Sequence, residues 1–430
     1  MSMRSITTLA CVAVAAASAT PAGAAGFRQT EEDAYTRYEL LAPETASFRI
    51  LYDVTATAPG TTLYFNPIRK GSEPTVHAVT DRASGEALEW SLVEPAAAAA
   101  DGLLDTDHDG LFLRVVLPRP VPAEGGVRLR IDKTYADPAS VRVEGDRLIF
   151  ERSLGVKRNA VILPAGYELV GCNHPSQVAL EPDGRVRVSF VNLGEAPVPF
   201  RIEAREAVAA PAGEAGAGGA IDDRPPTTVE RPASARREVE VGERAAEDRE
   251  IVYLLRGPET HTFDLYHDYT ESRPGIDRYV NFVRPGSRAT EPSARNLDTG
   301  EALRVETLRG AAITERGIDL EGEPLTPETE VVVIWFEAVR PGTSTRLRIS
   351  ETYADPGRYG LDGDELLWDR SFGRSRNIVV LPEGWSLTAS TMPAVVDLTD
   401  DGRVRLRLDN DRPDELQVLL RARRVSRAPR

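Results

Sequence analysis

The stretch ERSLGVKRNAVILPAGYEL at residues 151–169 returns as DRSFGRSRNIVVLPEGWSL at residues 369–387, with 10 of 19 positions identical. The shared pattern R-S-x-G-x-x-R-N-x-V-x-L-P-x-G-x-x-L recurs at a spacing of 218 residues. At the same spacing, Thr134-Tyr135-Ala136-Asp137-Pro138 matches residues 352–356, and residues 183–187 (DGRVR) match residues 401–405. Earlier in the chain, residues 38–45 and 64–72 match residues 253–260 and 279–287 at a spacing of 215. A register that drifts by only three residues over such a span indicates two copies of one domain. Solenoid units are far shorter.

Within each copy the hydrophobic period is two. Phe48, Ile50, Tyr52 and Val54 alternate with Arg49, Leu51 and Asp53, and Phe263, Leu265, His267 and Tyr269 repeat the pattern. Residues 127–131, 346–349, 185–188 and 403–408 alternate strictly between apolar and arginine. Such runs, separated by Pro-Gly, Ser-Gly and Asp-Gly turns, predict strands with one buried and one wet face. No long amphipathic helix is expected. The predicted fold is all-β, with two tandem homologous antiparallel β-sandwich domains over residues 25–205 and 249–425.

Residues 206–248 between the copies include the run APAGEAGAGGA at 210–220 and Pro225-Pro226, which offer little to bury. They read as a flexible Ala/Gly/Pro-rich linker, and residues 426–430 as a tail. A linker of ~40 residues has a root-mean-square span on the order of 35 Å, so the copies need not touch.

Composition narrows the function classes. The 430 residues carry 52 Lys+Arg against 67 Asp+Glu, for a net charge of −15, and 41% are hydrophobic. That balance argues against a generic nucleic-acid or anionic-membrane binder. Two cysteines make neither a disulfide scaffold nor a Cys-ligated zinc site. Residues 1–24 read as a secretory signal peptide, with Arg4 in the n-region, residues 6–17 apolar and Ala22-Gly23-Ala24 as the cleavage site. An exported protein, periplasmic or extracellular, is expected. Cleavage leaves Cys172 as the one thiol, expected to be buried. No segment after the signal is long and apolar enough to span a membrane as a helix.

Asp105-Thr106-Asp107-His108-Asp109-Gly110 places three carboxylates on a tight loop, a candidate Ca2+ site through Asp105, Asp107 and Asp109. The plain alternative is an acidic hairpin tip, since position 12 of a full calcium loop is Val116 rather than Glu. Arg128, Arg130, Arg185 and Arg187, with Arg346, Arg348, Arg403, Arg405 and Arg407, should project from wet strand faces. They either bind acidic glycans or pair with neighbouring Asp and Glu, and the acidic excess favours pairing. Arg158-Asn159 and Arg376-Asn377 read as polar pairs that satisfy backbone groups at a strand start. Asp137-Pro138 and Asp355-Pro356 read as turns. Trp368 aligns with Phe150 and Trp385 with Tyr167, which points to packing rather than a sugar platform.

The sequence contains no G-x-S-x-G elbow, H-E-x-x-H helix or P-loop, and its five histidines show no metal-ligand spacing beyond His261 and His267. No catalytic residue and no cofactor other than Ca2+ is expected. The sequence therefore points to a secreted, non-catalytic binding or scaffold protein whose partner is an envelope protein or polysaccharide. Alternatives are a pair of acidic-polysaccharide-binding modules, or accessory domains of a hydrolase system.

Overall fold

The computed structural model describes residues 29–30, 34–103, 108–124, 126–194, 196–207, 249–320, 324–412 and 414–425. The expected signal peptide, residues 208–248 of the expected linker, the tail, and Asp105 and Asp107 lie outside the described residues.

The described chain is nearly all β. Its first half runs β1 (Tyr35–Leu40), β2 (Ser47–Ala56), β3 (Leu63–Pro67), β4 (Glu73–Asp81), β5 (Trp90–Val93), helix α1 (Pro95–Ala100) and β6 (Phe112–Val116). It continues with β7 (Val127–Ala136), β8 (Val141–Glu144), β9 (Arg147–Leu154), β10 (Arg158–Ile162), β11 (Tyr167–Leu180), β12 (Val186–Val191) and β13 (Val198–Glu206). The second half runs β14 (Glu250–Leu255), β15 (Thr262–Glu271), β16 (Arg278–Phe282), β17 (Arg288–Asn296), β18 (Arg304–Arg309), helix α2 (Ala311–Glu315) and β19 (Glu330–Trp335). It ends with β20 (Thr345–Ala354), β21 (Tyr359–Asp362), β22 (Glu365–Phe372), β23 (Arg376–Val380), β24 (Trp385–Leu398), β25 (Val404–Asp409) and β26 (Leu416–Arg424). Among the described residues no helix is long and apolar enough to cross a membrane.

The chain divides into two compact units. The smaller draws on the described residues 29–30, 55–70, 88–103, 108–124 and 126–127. It holds a three-stranded antiparallel sheet in the order β3-β6-β5. One face of that sheet buries Phe65 and Phe112 against Ala98 of α1, with Leu63, Val93 and Leu103 around them. The Gln29 side chain closes a two-bond clamp on the backbone of Phe65.

The larger unit takes the remaining described residues. In the first half its strands follow the order β4-β7-β2-β1-β10-β12-β11, and β11 continues into β11-β13-β9-β8. In the second half the order is β17-β20-β15-β14-β23-β25-β24, continuing into β24-β26-β22-β21. The second half also carries a small antiparallel sheet, β16-β19-β18, with α2 on one face.

One expectation is corrected. The sheets are mixed rather than purely antiparallel, because β1 runs parallel to β10 and β14 parallel to β23. Parallel neighbours need a long crossover, and more than a hundred residues separate these partners in sequence. The two halves are also joined directly: β11 pairs antiparallel with β24, placing Cys172 opposite Val396, Ser176 opposite Ala394 and Val178 opposite Ser390. Both strands are 14 residues long and bend between two sets of partners. Their middle segments would otherwise leave backbone donors and acceptors unpaired, and pairing with each other satisfies them. The Gln177 side chain adds a bond from Nε2 to the Thr391 carbonyl at 2.9 Å.

The cores explain the apolar alternation. Tyr38, Phe48, Tyr135 and Phe150 interlock in the first half, with ring centroids 5.5–6.0 Å apart. In the second half Tyr253, Phe263, Trp368 and Phe372 interlock with centroids 5.2–6.4 Å apart. Such pairs contribute roughly 0.5–1.5 kcal/mol each beyond area burial. Each core also closes around a buried ion pair, Arg152–Asp137 at 2.9 Å and Arg370–Asp355 at 3.0 Å. The Arg370 guanidinium also lies 4.9 Å from the centre of the Phe263 ring, a cation–π contact inside the same core.

Candidate functional site

Of the proposed calcium ligands only Asp109 is described. Its Oδ2 accepts a bond from Lys70 Nζ at 2.8 Å, and that lysine holds the carboxyl below its usual range. The adjacent His108 lies with Nε2 2.7 Å from the Ile68 carbonyl and its ring edge-on to Phe112. Among the described residues no group of three His, Cys, Asp or Glu is placed to hold a metal.

Of the nine strand arginines, all but Arg128 form an ion pair with a carboxylate of the chain itself among the described residues. Arg130 forks onto Asp53, Arg348 onto Asp268 and Arg405 onto Asp397. Arg185, Arg187, Arg346, Arg403 and Arg407 each have a carboxylate partner within 4.0 Å. Arg130, Arg348 and Arg405 pair across neighbouring strands, whereas Arg185 and Arg403 turn back onto Asp183 and Asp401 of the preceding turn.

The repeated asparagines do what their position requires: Asn159 Nδ2 donates to the Val156 carbonyl at 2.7 Å and Asn377 Nδ2 to the Arg374 carbonyl at 2.8 Å. Cys172 is buried at the junction strand, where desolvation pushes its thiol up, and its Sγ lies 3.2 Å from the His174 carbonyl. Trp368 and Trp385 are both core residues.

Two clusters were not legible in the sequence. The first lies in the second half, where β16 faces β15 and β20. Arg374 Nη2 donates to His267 Nδ1 at 2.5 Å, so a neutral His267 carries its proton on Nε2, a buried atom without a hydrogen-bond partner among the described residues. Burial, reinforced by Arg374 and Arg249, lowers the imidazole well below its ordinary range, so it is neutral near pH 7. Across the same face Asn281 Nδ2 donates to both oxygens of Glu351 at 3.0 and 2.9 Å, and burial pushes Glu351 up to about 7. Its counterpart at the repeat spacing is Lys133, which burial pushes down to about 7. Tyr279 completes the group with its ring 5.7 Å from His267. His267 and Glu351 are 1% and 3% exposed, so their chemistry bears on stability rather than on a solvent-borne substrate.

The second cluster surrounds Trp335. Register places Arg278 and Arg304 directly opposite Trp335 on its two flanking strands. Arg316 arrives from the C-cap of α2. The three guanidinium carbons lie 5.3, 5.6 and 5.3 Å from the indole centre. Glu306 accepts from Arg304 at 3.0 Å and from Arg316 at 3.1 Å, and Asp277 lies 3.6 Å from Arg278. The signal for this cluster exists only once register is known, because the four residues span 58 positions.

No protein-family model matches the chain. No curated protein matches it. Among solved structures the chain is similar to an aminopeptidase N family protein from Idiomarina loihiensis, at 12% identity and a TM-score of 0.24. The match covers 40% of this chain and 29% of that one, and a likeness of that size carries no argument about fold or activity.

Proposed function

We propose that this chain is an exported, non-catalytic binding or scaffold protein of the cell envelope or exterior, built from two tandem copies of one β-sandwich domain. The observation that carries the reading is the β11–β24 junction. The pairing of Cys172 with Val396 and of Val178 with Ser390 supports two related modules at fixed spacing rather than on a loose tether. Fixed spacing favours simultaneous engagement of a repetitive surface, because the second contact becomes intramolecular. The signal-like residues 1–24 and the absence of recognised catalytic motifs in the sequence support the export and non-catalytic parts. Within this reading, Asp105, Asp107 and Asp109 form a low-affinity structural calcium site, in which the cation competes with Lys70 for Asp109.

The experiment is to present residues 25–430 to the producing organism's envelope fraction, with and without calcium, and identify what is retained. A specific protein or polysaccharide is the expected result. Retention of nothing under either condition overturns the reading. For calcium, a calorimetric titration at millimolar concentration should give heat that Asp109→Asn removes; no heat eliminates the site.

A further inference from the structure

We infer that the Trp335 cluster is a binding site for carboxylate-bearing polysaccharide, a polyuronate, which rests on the binding-protein reading and names its ligand class.

Three features carry this. First, the guanidiniums of Arg278, Arg304 and Arg316 gather on one indole although the chain as a whole is acidic. Cation–π contact holds each arginine in place before any ligand arrives, which lowers the ordering cost of binding. Second, their side chains stay 40%, 62% and 40% exposed, so outward N–H groups remain accessible after Glu306 and Asp277 have taken their share. A guanidinium offers five donors in a fork that fits a planar carboxylate. Glu306 already bridges two of the three arginines, the geometry a uronate carboxylate would adopt on the outer edges.

Third, the fold does not require these residues. In the β3-β6-β5 sheet the register positions of Arg278 and Trp335 are Leu63 and Val116. Glu89, whose carbonyl accepts from the Val116 amide, stands where Arg304 stands. The helix C-cap is Asp101 where α2 has Arg316. The charge is inverted at two of these positions while the three-stranded sheet and short helix persist. A polyuronate suits the cluster better than an acidic peptide, because the described contacts consist of donors around a half-buried indole, without an apolar pocket for peptide side chains. Repeated carboxylates along one polymer also raise avidity at a small site.

The test is calorimetry of residues 25–430 with polygalacturonate at low salt. Binding should weaken as salt rises, because the contact is exposed and ionic. The variant Arg278→Gln/Arg304→Gln/Arg316→Gln should lose at least ten-fold in affinity, with its circular dichroism unchanged. A control, Arg256→Gln/Arg412→Gln/Arg424→Gln, removes the same charge elsewhere and should bind as wild type. If the triple variant does not fold, Arg304→Gln alone, at the most exposed position, should lose several-fold. Undetectable polygalacturonate binding, equal loss in the control, or tighter binding of polyglutamate overturns the inference. If the envelope fraction still retains a ligand independently of these three arginines, the inference fails and the scaffold reading stands. If nothing in the envelope is retained, the scaffold reading fails first.

Discussion

Ser176 lies directly opposite Ala394, and Ala394 is 218 positions further along the chain, the spacing of the repeat itself. On either side the relation is reciprocal: Cys172 faces Val396 and Val178 faces Ser390, and each of these partners is the other's counterpart at the same spacing. This is the pattern of an isologous interface, in which one surface meets a copy of itself about a two-fold axis. Ser390 keeps the local chemistry of Cys172, donating to the Met392 carbonyl at 2.6 Å as Cys172 does to that of His174.

The junction should couple the unfolding of the two halves. Ala394 is fully buried, so Ala394→Asp places an unpaired carboxylate against β11 at a cost of roughly 3 kcal/mol. In scanning calorimetry one endotherm in the wild type should separate into two in the variant. A single transition at an unchanged temperature would show that the halves do not depend on the junction.

Glu351 and Lys133 should give opposite pH profiles. Folding raises Glu351 from 4.5 to about 7, so the folded state binds that proton more tightly and the ionisation penalty grows as pH rises through this window. Glu351→Gln should therefore stabilise more at pH 8 than at pH 4, by on the order of 3 kcal/mol. Folding lowers Lys133 from 10.5 to about 7, so its penalty is complete below about pH 7 and fades above it. Lys133→Met should stabilise more at pH 6 than at pH 10. Urea titrations across pH check both slopes.

The Arg370–Asp355 pair is almost completely enclosed, with side-chain exposures of 4% and 1%. Asp355→Ala strands a buried guanidinium and should cost about 3–5 kcal/mol. The same change at Asp137 should cost less, because its partner Arg152 is 12% exposed and also bonds Ser140 Oγ at 3.1 Å. Chemical denaturation of the two variants ranks them.

Ala46 and His261 both adopt left-handed backbone, with φ of 47° and 55°, just after matching 3-10 turns. Ala46→Gly should stabilise by up to about 1 kcal/mol, since glycine occupies that region without strain. His261→Gly should gain less or lose, because His261 Nδ1 lies within hydrogen-bond distance, 2.8 Å, of the Tyr359 carbonyl. Melting temperatures of the two variants provide the comparison.

The sequence by itself determined the β content, the alternation that fills the cores, the repeat spacing, and the local tasks of Asn159, Asn377, Asp137 and Asp355. Those features depend on residue periods and on contacts a few positions long, which a linear chain displays directly. It also favoured arginine pairing over an open cationic face, because composition alone supplied the acids. Tertiary structure decided the parallel pairing of β1 with β10 and the reciprocal meeting of β11 with β24. It also assembled the His267–Arg374 and Glu351–Asn281 contacts and brought Arg278, Arg304 and Arg316 around Trp335. Each of these depends on register between strands distant in sequence, and a one-residue slip would turn every such side chain to the opposite face.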